Sequence, residues 1–307
     1  MKTKQRNILL AVCTRNWIHY SKSDEFKATL KQIQTFGLYK VKFLIVENSG
    51  ESNFEIDDEL KKYVNVICET RVGIPQARNA AVSYAISNNF HDLIFLDDDC
   101  MPSKKWLEEI VSNFYESGSD VMQGGWQFIY PSNYSKIFPK LDNSNFHRGQ
   151  VLETASTRNV IFNLKIVKKL SLQFDENLNK IGGSDTLFFS QLNGAGANLV
   201  ATNRSLVYEK IEFERARFSW HFKRRIRTSQ SWLMRNYLLG EPLVKSNFVY
   251  ILSVITFSLQ IINIIFLAIP ALLTIKHKKK FFEVLYYFAF PLAFVLFKLN
   301  IYYKEYK

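Results

Sequence analysis

Three consecutive carboxylates, Asp97, Asp98 and Asp99, close the stretch HDLIFLDDDC at residues 91–100. Like charges held side by side repel one another, and a fold that keeps them together needs a cation or a cationic partner to offset the repulsion. Mg²⁺ or Mn²⁺ suits such hard donors, taking one or two carboxylates and filling its octahedron with water and phosphate oxygens. The apolar run ahead of the triplet, residues 93–96 (LIFL), reads as a strand buried on both faces of a parallel sheet. The C-terminal end of such a strand is where open α/β sheets place ligands. The chemistry expected there is a divalent cation shared between the triplet and a phosphate-bearing ligand. A bare Asp triplet is more often a solvated turn and helix cap. The strand in front of this one favours the ligand site.

The elements that must position the triplet alternate regularly. Residues 7–13 (NILLAVC) read as a buried strand, and 14–22 as a polar loop leaving its C-terminal end. Phe26, Leu30 and Ile33 recur at helical spacing over 24–36, with Gly37 as the stop. Residues 41–46 (VKFLIV) form a second strand that again ends in a carboxylate, Glu47, followed by the turn residues Asn48-Ser49-Gly50. A weak helix at 56–62 leads to a third strand at 64–68. Pro75 then opens a helix running to Ser87. After the Asp triplet comes a helix at 103–116. This strand-helix rhythm implies a parallel α/β sheet with right-handed crossovers.

Past Val121-Met122 the rhythm breaks, and Gly124-Gly125-Trp126 with residues 127–150 read as a surface excursion. A further strand is expected at 154–164 (TASTRNVIFNL), then a short helix, then the tight loop Gly182-Gly183. Ser184 caps the next helix and Asp185 falls in its first turn, where a carboxylate alone often does no more than complement the helix dipole. Residues 213–239 give a long helical pattern with Phe213, Ala216 and Trp220 on one stripe, surrounded by Arg215, Lys223, Arg224, Arg225 and Arg227. Aromatics among arginines are the pattern of an interfacial helix on a membrane, with a solvated basic helix as the plainer reading. His221 on this stretch is a low-weight candidate for a metal or phosphate contact, against the commoner role of a packing residue.

Residues 248–275 are uncharged but for their flanks and would stretch about 42 Å as a helix, against about 30 Å for a bilayer core. Pro270 lies where a kink or an end is expected. A second run, 281–303, carries only Glu283 and Lys298 as charges before its end. Together they make a candidate membrane hairpin. Basic residues precede, separate and follow the two runs, which conflicts with a simple two-span arrangement; a shallow or re-entrant hairpin keeps every basic cluster cytoplasmic. Buried helices of a soluble protein are the remaining alternative.

The chain has 307 residues, 47% hydrophobic, and a net charge of +12. Such a charge can serve nucleic acid, a membrane surface or an anionic substrate. Its clustering at 215–227 and 276–280, on either side of apolar sequence, favours lipid head groups and argues against nucleic acid. Cys13, Cys68 and Cys100 are odd in number and widely spaced, which argues for a reducing compartment and against structural zinc. The N-terminal MKTKQRNILLAVC has an apolar run too short for a signal-peptide core.

In their order, CTRN after the first strand, VEN after the second, GIPQARNAA, FLDDD and GGSD resemble the family 2 glycosyltransferases of the GT-A fold, over roughly residues 6–211. The likeness is greatest to the non-processive bacterial branch that extends lipid-linked precursors of capsule, exopolysaccharide or O-antigen, several members of which end in a membrane-associated tail. The resemblance implies an α/β fold with a mostly parallel sheet flanked by helices, plus C-terminal membrane helices. It divides the chain into a catalytic domain at 1–212, a basic amphipathic region at 213–245 and a membrane hairpin at 246–307. It implies a nucleotide-diphosphate sugar donor, Mg²⁺ or Mn²⁺, a polyprenyl-diphosphate-linked saccharide acceptor, and a catalytic domain on the cytoplasmic face of the plasma membrane. Oligomeric state is left open.

Residue by residue, the resemblance puts Thr14 and Arg15 at the nucleotide, Glu47 at the base or ribose, and Arg78 at the nucleotide or its phosphates, followed in pattern by Asn79. Asp97 and Asp99 match the ends of the DxD motif, Asp99 foremost as metal ligand with Asp97, while Asp97 or Asp98 lies nearer the ribose or sugar. Asp185 matches the Asp of a GGED-like element, the general base of inverting transfer, and Ser184 stands where the family usually has Glu. The QxxRW element of processive members is missing: Gln230-Ser231-Trp232 lacks the Arg-Trp pair, so transfer of a single sugar is expected. Two other classes compete. A nucleotidyltransferase would also hold a metal and a phosphate, but usually shows a Gly-rich or basic signature after the first strand. A catalytically silent membrane scaffold has no need to tolerate clustered carboxylates.

Overall fold

The computed structural model describes residues 6–37, 39–50, 58–132, 134, 140–213, 215–242 and 247–303. The chain runs β1 (Asn7–Thr14), α1 (Trp17–Tyr20), α2 (Asp24–Thr35), β2 (Lys40–Glu47), α3 (Asp58–Lys61), β3 (Val64–Cys68), α4 (Ile74–Ser87), β4 (Asp92–Leu96), β5 (Cys100–Pro102), α5 (Trp106–Ser117) and β6 (Val121–Ile129). It continues with β7 (Gln150–Val151), β8 (Asn159–Asn163), α6 (Leu164–Leu170), α7 (Ser184–Gly194), β9 (Leu199–Lys210), α8 (Phe218–Leu238), α9 (Asn247–Leu273) and α10 (Ile275–Lys298).

The strands form one sheet in the order β3-β2-β1-β4-β8-β6-β9-β5, with β7 paired to β9. β1 is parallel to β2 and β4, and β2 to β3. Beyond β4 the pairings β4–β8, β6–β8, β5–β9 and β7–β9 are antiparallel. The expected mostly parallel sheet is thus a mixed one. Parallel neighbours need a helical crossover, and among the described residues no helix intervenes between β6, β7 and β8.

The central strands are buried on both faces because their side chains alternate between two apolar layers. Leu9, Ala11, Leu44, Val46, Leu93 and Phe95 face one core with Ala77, Ala81 and Ala85 of α4 and Phe188 and Phe189 of α7. Ile8, Leu10, Val12, Phe43, Ile45, Ile94 and Leu96 face the other, with Phe26 of α2 and Trp106, Ile110 and Phe114 of α5. This continuous apolar character is what makes the strands legible in sequence.

Several boundaries differ from expectation. The loop at 14–22 contains α1, whose N-cap Asn16 accepts a hydrogen bond from His19 N. The helix expected from 103 begins at Trp106, and the strand expected at 154–164 is confined to Asn159–Asn163. Gly124-Gly125-Trp126 belongs to β6 rather than to an excursion. A Cβ on Gly124 would lie 2.2 Å from Asn159 Nδ2, so the strand needs glycine there to admit the Asn159 side chain. The basic run 276–280, expected between two helices, lies inside α10; the break falls at Thr274, which caps α10 by accepting from His277 N.

The chain separates into two compact units. The first holds the sheet and its helices, up to Phe128 with Asn143–Asn179 and Ser184–Glu209; the second comprises Ile129–Asp142, Lys180–Gly183 and Lys210–Lys307. Within the second unit, α8 begins at Phe218, leaving Phe213 outside the helix. Ile226 packs with Ala289 and Ala293 of α10, and Leu233 with Phe294 and Phe297. Gln230, fully buried, accepts from Tyr303 N at 2.8 Å and donates to Ile301 O at 2.8 Å. Among the described residues one helical stretch, Lys276–Lys298, is long and apolar enough to cross a membrane, and it is 33% buried, far less than a core helix. In α9 the apolar stretch recognised among described residues is the shorter Val254–Leu267, with Leu259, Ile265 and Phe266 exposed.

Candidate active site

Parallel register gathers the site. Thr14 pairs with Glu47 and Glu47 with Cys68, so the C-terminal ends of β1, β2 and β3 are level. Ala11 pairs with Phe95, and the same register carried two residues on brings Cys13 level with Asp97. Charge interactions of Cys13 with Arg78, Asp97 and Asp98 agree with that placement.

Glu47 is buried, and its two oxygens accept from Trp17 N (2.5 Å) and Ser49 N (3.1 Å). It therefore fixes the loops after β1 and β2; an ionised carboxylate has about four acceptor positions, so capacity remains for a ligand. Asn48, which sequence reasoning passed over as a turn residue, ties the adjoining loop together. Its Nδ2 donates to Glu69 O (2.7 Å) and Arg71 O (3.0 Å), and its Oδ1 accepts from Gly73 N (2.7 Å) just before α4. Arg15, directly after β1, is exposed.

Asp97 and Asp98 are part-buried, whereas Asp99 is exposed. Burial pushes Asp97 up to about 6; Arg78 and Arg158 oppose the shift, and Asp99 and Asp185 add to it. Burial likewise pushes Asp98 up to about 7 against a hydrogen bond from Thr14, with Asp99 and Asp97 contributing repulsion. Arg78, Asp99 and Asp185, all expected at the site, are thus within charge-interaction reach of Asp97, and Asp97 and Asp99 of Asp98.

Arg78, on α4, donates from Nη1 to Ser184 Oγ at 3.2 Å and stands 5.7 Å over the Phe174 ring. Ser184 is buried and opens α7, so the residue that departs from the GGED-like pattern anchors Arg78 with a neutral hydroxyl. Asp185 follows in the first turn, its Oδ1 accepting from Thr186 N at 2.8 Å. Asn79 is structural: it exchanges hydrogen bonds with Phe174 N (2.8 Å) and O (2.9 Å).

Two functional candidates were not read from sequence. Arg158 Nη2 lies 3.2 Å from Glu209 Oε2, and both side chains are largely buried. Burial works against the Arg158 charge, but Glu209 first and then Asp97 hold it protonated. Its Nε has no hydrogen-bond partner among the described residues. Glu209 in turn has a carboxylate oxygen within 4.8 Å of ligand atoms of Asp99 and Cys100. A lone Arg ahead of a strand and a lone Glu at the end of another carry no pattern.

A divalent cation fits part of this group. Asp99 and Glu209 offer hard oxygens, while burial holds the Cys100 thiol well above its usual range and so protonated, a soft neutral donor ill-suited to Mg²⁺ or Mn²⁺. Burial is the main cause of the raised Asp97 and Asp98; the mutual repulsion that adds to it is what a cation would relieve. His221 belongs to the second unit, fully buried beside Tyr130 and Tyr134 with ring centroids 6.0 and 5.7 Å away.

Residues 17–173, just over half the chain, match the glycosyl transferase family 2 profile. The chain belongs to that family. It is 28% identical over 147 residues to the succinoglycan biosynthesis protein ExoM of Rhizobium meliloti, covering 45% of this chain and 46% of that one. It is 27% identical over 190 residues to the glycosyltransferase AglE of Haloferax volcanii, covering 59% and 60%. The matched region thus spans less than two thirds of either relative. Among solved structures, the mannosyltransferase PcManGT of Pyrobaculum calidifontis, in complex with GDP-Man and Mn²⁺, superposes with a TM-score of 0.53 at 14% identity, over 77% of this chain and 65% of that one. That likeness places the sheet and its helices in a GT-A-like architecture.

Proposed function

We propose that the chain is a metal-dependent, inverting glycosyltransferase that moves one sugar from a nucleotide-diphosphate donor to a lipid-linked saccharide in cell-surface polysaccharide synthesis. The observation that carries the reading is the convergence of Asp97, Asp98, Asp99, Arg78 and Asp185 at the C-terminal edge of the parallel strands. Kinship to ExoM, named for succinoglycan biosynthesis, and the manganese and GDP-mannose held by the Pyrobaculum enzyme support the polysaccharide, donor and metal assignments.

In this reading Thr14, Arg15 and Glu47 receive the nucleoside, and Arg78 meets the diphosphate. Asp99, with Asp97 or Glu209, holds Mg²⁺ or Mn²⁺, which when bound supplies positive charge to the departing diphosphate. The acceptor hydroxyl attacks the anomeric carbon, the bond from that carbon to the diphosphate oxygen breaks, and Asp185 takes the hydroxyl proton. Arg158, after Arg78, favours the ionised form of Asp97, and its buried Nε–H has no partner among the described residues. The apolar stretch of α10 anchors the chain to the plasma membrane with α9 beside it, and basic α8 lies along the cytoplasmic head groups.

The test is calorimetric titration of UDP, GDP and their sugar conjugates into detergent-purified protein, with Mn²⁺ or EDTA, beside Asp99→Ala. Metal-dependent binding of one nucleotide that vanishes in the variant supports the donor site. Folded protein that binds no nucleoside diphosphate would sink the proposal.

A further inference from the structure

At the opposite end of the sheet from the Asp triplet, residues just outside β1, β4 and β8 enclose a pocket of 560 Å³. Its walls carry Arg6, His91, Lys165, Lys168 and Lys169, with Phe90 as an apolar side. Among the described residues no carboxylate lines it. Arg6 precedes β1, His91 precedes β4, and Asn163, paired with Asp92, ends β8. His91 stands about 20 Å from Asp97 along an extended chain, so the pocket is separate from the candidate donor site.

Arg6 and His91 are held in place by contacts of their own. Arg6 Nη1 is 3.4 Å from Asp92 Oδ1, and the fully buried Asp92 also accepts from Tyr115 Oη at 2.6 Å. The guanidinium stands 5.3 Å over the Tyr115 ring, although the Arg6 side chain keeps 46% exposure toward solvent. His91 Nδ1 accepts from Asn7 N at 3.2 Å, so the neutral ring carries its proton on Nε2 and offers a donor.

Lys165, Lys168 and Lys169 share one face of α6 at the i,i+3 and i,i+4 spacings. Like charges at those spacings oppose helix formation, and α6 has no acidic residue to offset them. The helix is nonetheless fixed at its start, where Asn163 Oδ1 accepts from Lys165 N at 2.7 Å. A short helix so charged, facing a pinned arginine across a concave space without acid, is complementary to a multiply charged anion.

We infer that this pocket binds a phosphate-bearing anion of diphosphate size, with Arg6 giving the planar fork and the three lysines the remaining charge. The phosphate comes either from a soluble phosphoryl compound or from a lipid head group. The inference stands independently of the transferase reading, and failure of either leaves the other intact.

The test uses the full chain in detergent with EDTA and inorganic pyrophosphate as calorimetric probe. Three proteins are compared: wild type, Lys165→Gln/Lys168→Gln/Lys169→Gln, and the equal-charge control Lys31→Gln/Lys104→Gln/Lys105→Gln. All six lysines are exposed, and melting curves verify the fold. The pocket variant is expected to lose, or weaken roughly tenfold or more, a binding event that wild type and control retain. Titration of short-chain phosphatidylglycerol and, as control, short-chain phosphatidylcholine into the same proteins separates the two sources, because α10 would carry the full chain onto any vesicle. A phosphatidylglycerol event lost only in the pocket variant, together with the lost pyrophosphate event, assigns a head group; no phosphatidylglycerol event in any of the three proteins, with the pyrophosphate event lost in the variant, assigns a soluble ligand. Identical pyrophosphate titrations for all three proteins, or equal weakening in variant and control, overturn the inference.

Discussion

Arg158 and Glu209 form a buried ion pair, Nη2 to Oε2 at 3.2 Å, with side chains 15% and 4% exposed. The guanidinium lies over the rings of Trp126 and Phe128, 5.3 and 5.2 Å from the centroids, and it also offsets the charge of Asp97. Arg158→Met would keep apolar contact with the two rings but leave Glu209 buried without its partner, beside the Asp99 carboxylate. Removing one member of a buried pair costs about 3–5 kcal/mol. Denaturant unfolding in EDTA should register that loss, and Mn²⁺ should recover part of it by supplying another cation. A variant as stable as wild type in EDTA would show that Arg158 does not carry the charge balance of the site.

Gly124 and Asn159 meet where β6 pairs with β8. Asn159 is fully buried: its Oδ1 accepts from Trp106 Nε1 (2.8 Å), and its Nδ2 donates to Gly125 O (2.9 Å) and Ser205 O (3.0 Å). With the side chain pinned three ways it cannot yield to a methyl group 2.2 Å from its nitrogen. Gly124→Ala should destabilise the first unit by about 2 kcal/mol or more, as overpacking does. The double variant Gly124→Ala/Asn159→Ala relieves the clash but orphans Trp106 Nε1–H, so its melting temperature should not return to wild type. Full recovery would show that the clash is the only function of Gly124 that matters.

Much of this was legible in the residues, and the exceptions have physical causes. β1, β2 and β4 are buried on both faces over most of their length, so their apolar runs announced them, and the carboxylates after β2 and β4 pointed to the candidate site. β9 was invisible because it turns polar residues inward: Ser205 and Glu209 are buried alongside Val207. In the antiparallel half of the sheet β8 was read within 154–164, but β6 was not, since it runs through two glycines that look like a turn, Gly124 being kept small by Asn159. Arg158 gave no signal because its partners, Glu209 and Asp97, are far away in sequence. The basic run in α10 misled because lysines in a first helical turn oppose the helix dipole, which makes a loop the better local guess.

Asp185→Asn provides a direct probe of the proposed chemistry. The amide is isosteric with the carboxylate and can still accept from Thr186 N, so α7 and the Arg78–Ser184 contact should persist. Loss of a positioned general base typically costs about 10²–10⁴ in rate. Turnover should fall in that range while donor binding measured by calorimetry stays within a few-fold of wild type. If donor affinity collapses and turnover of bound donor does not change, Asp185 is a binding residue and the base lies elsewhere.

His221 makes stability pH-dependent in a calculable direction. The ring is fully buried among Tyr130, Tyr134 and Trp220, neither ring nitrogen has a hydrogen-bond partner among the described residues, and burial, then Arg224, lowers its pKa to about 4. A base whose folded pKa is depressed takes up fewer protons folded than unfolded between pH 4 and the ordinary value of 6.5. Its contribution is therefore complete above 6.5 and is lost as pH falls through that window, by about 3 kcal/mol at the lower end. His221→Phe keeps an aromatic ring in the same space and removes the titration. Between pH 7 and pH 5 the wild type should lose about 2 kcal/mol more stability than the variant, read as a steeper fall in unfolding midpoint. Parallel pH profiles for the two proteins would mean that His221 already finds a proton acceptor or solvent in the folded state.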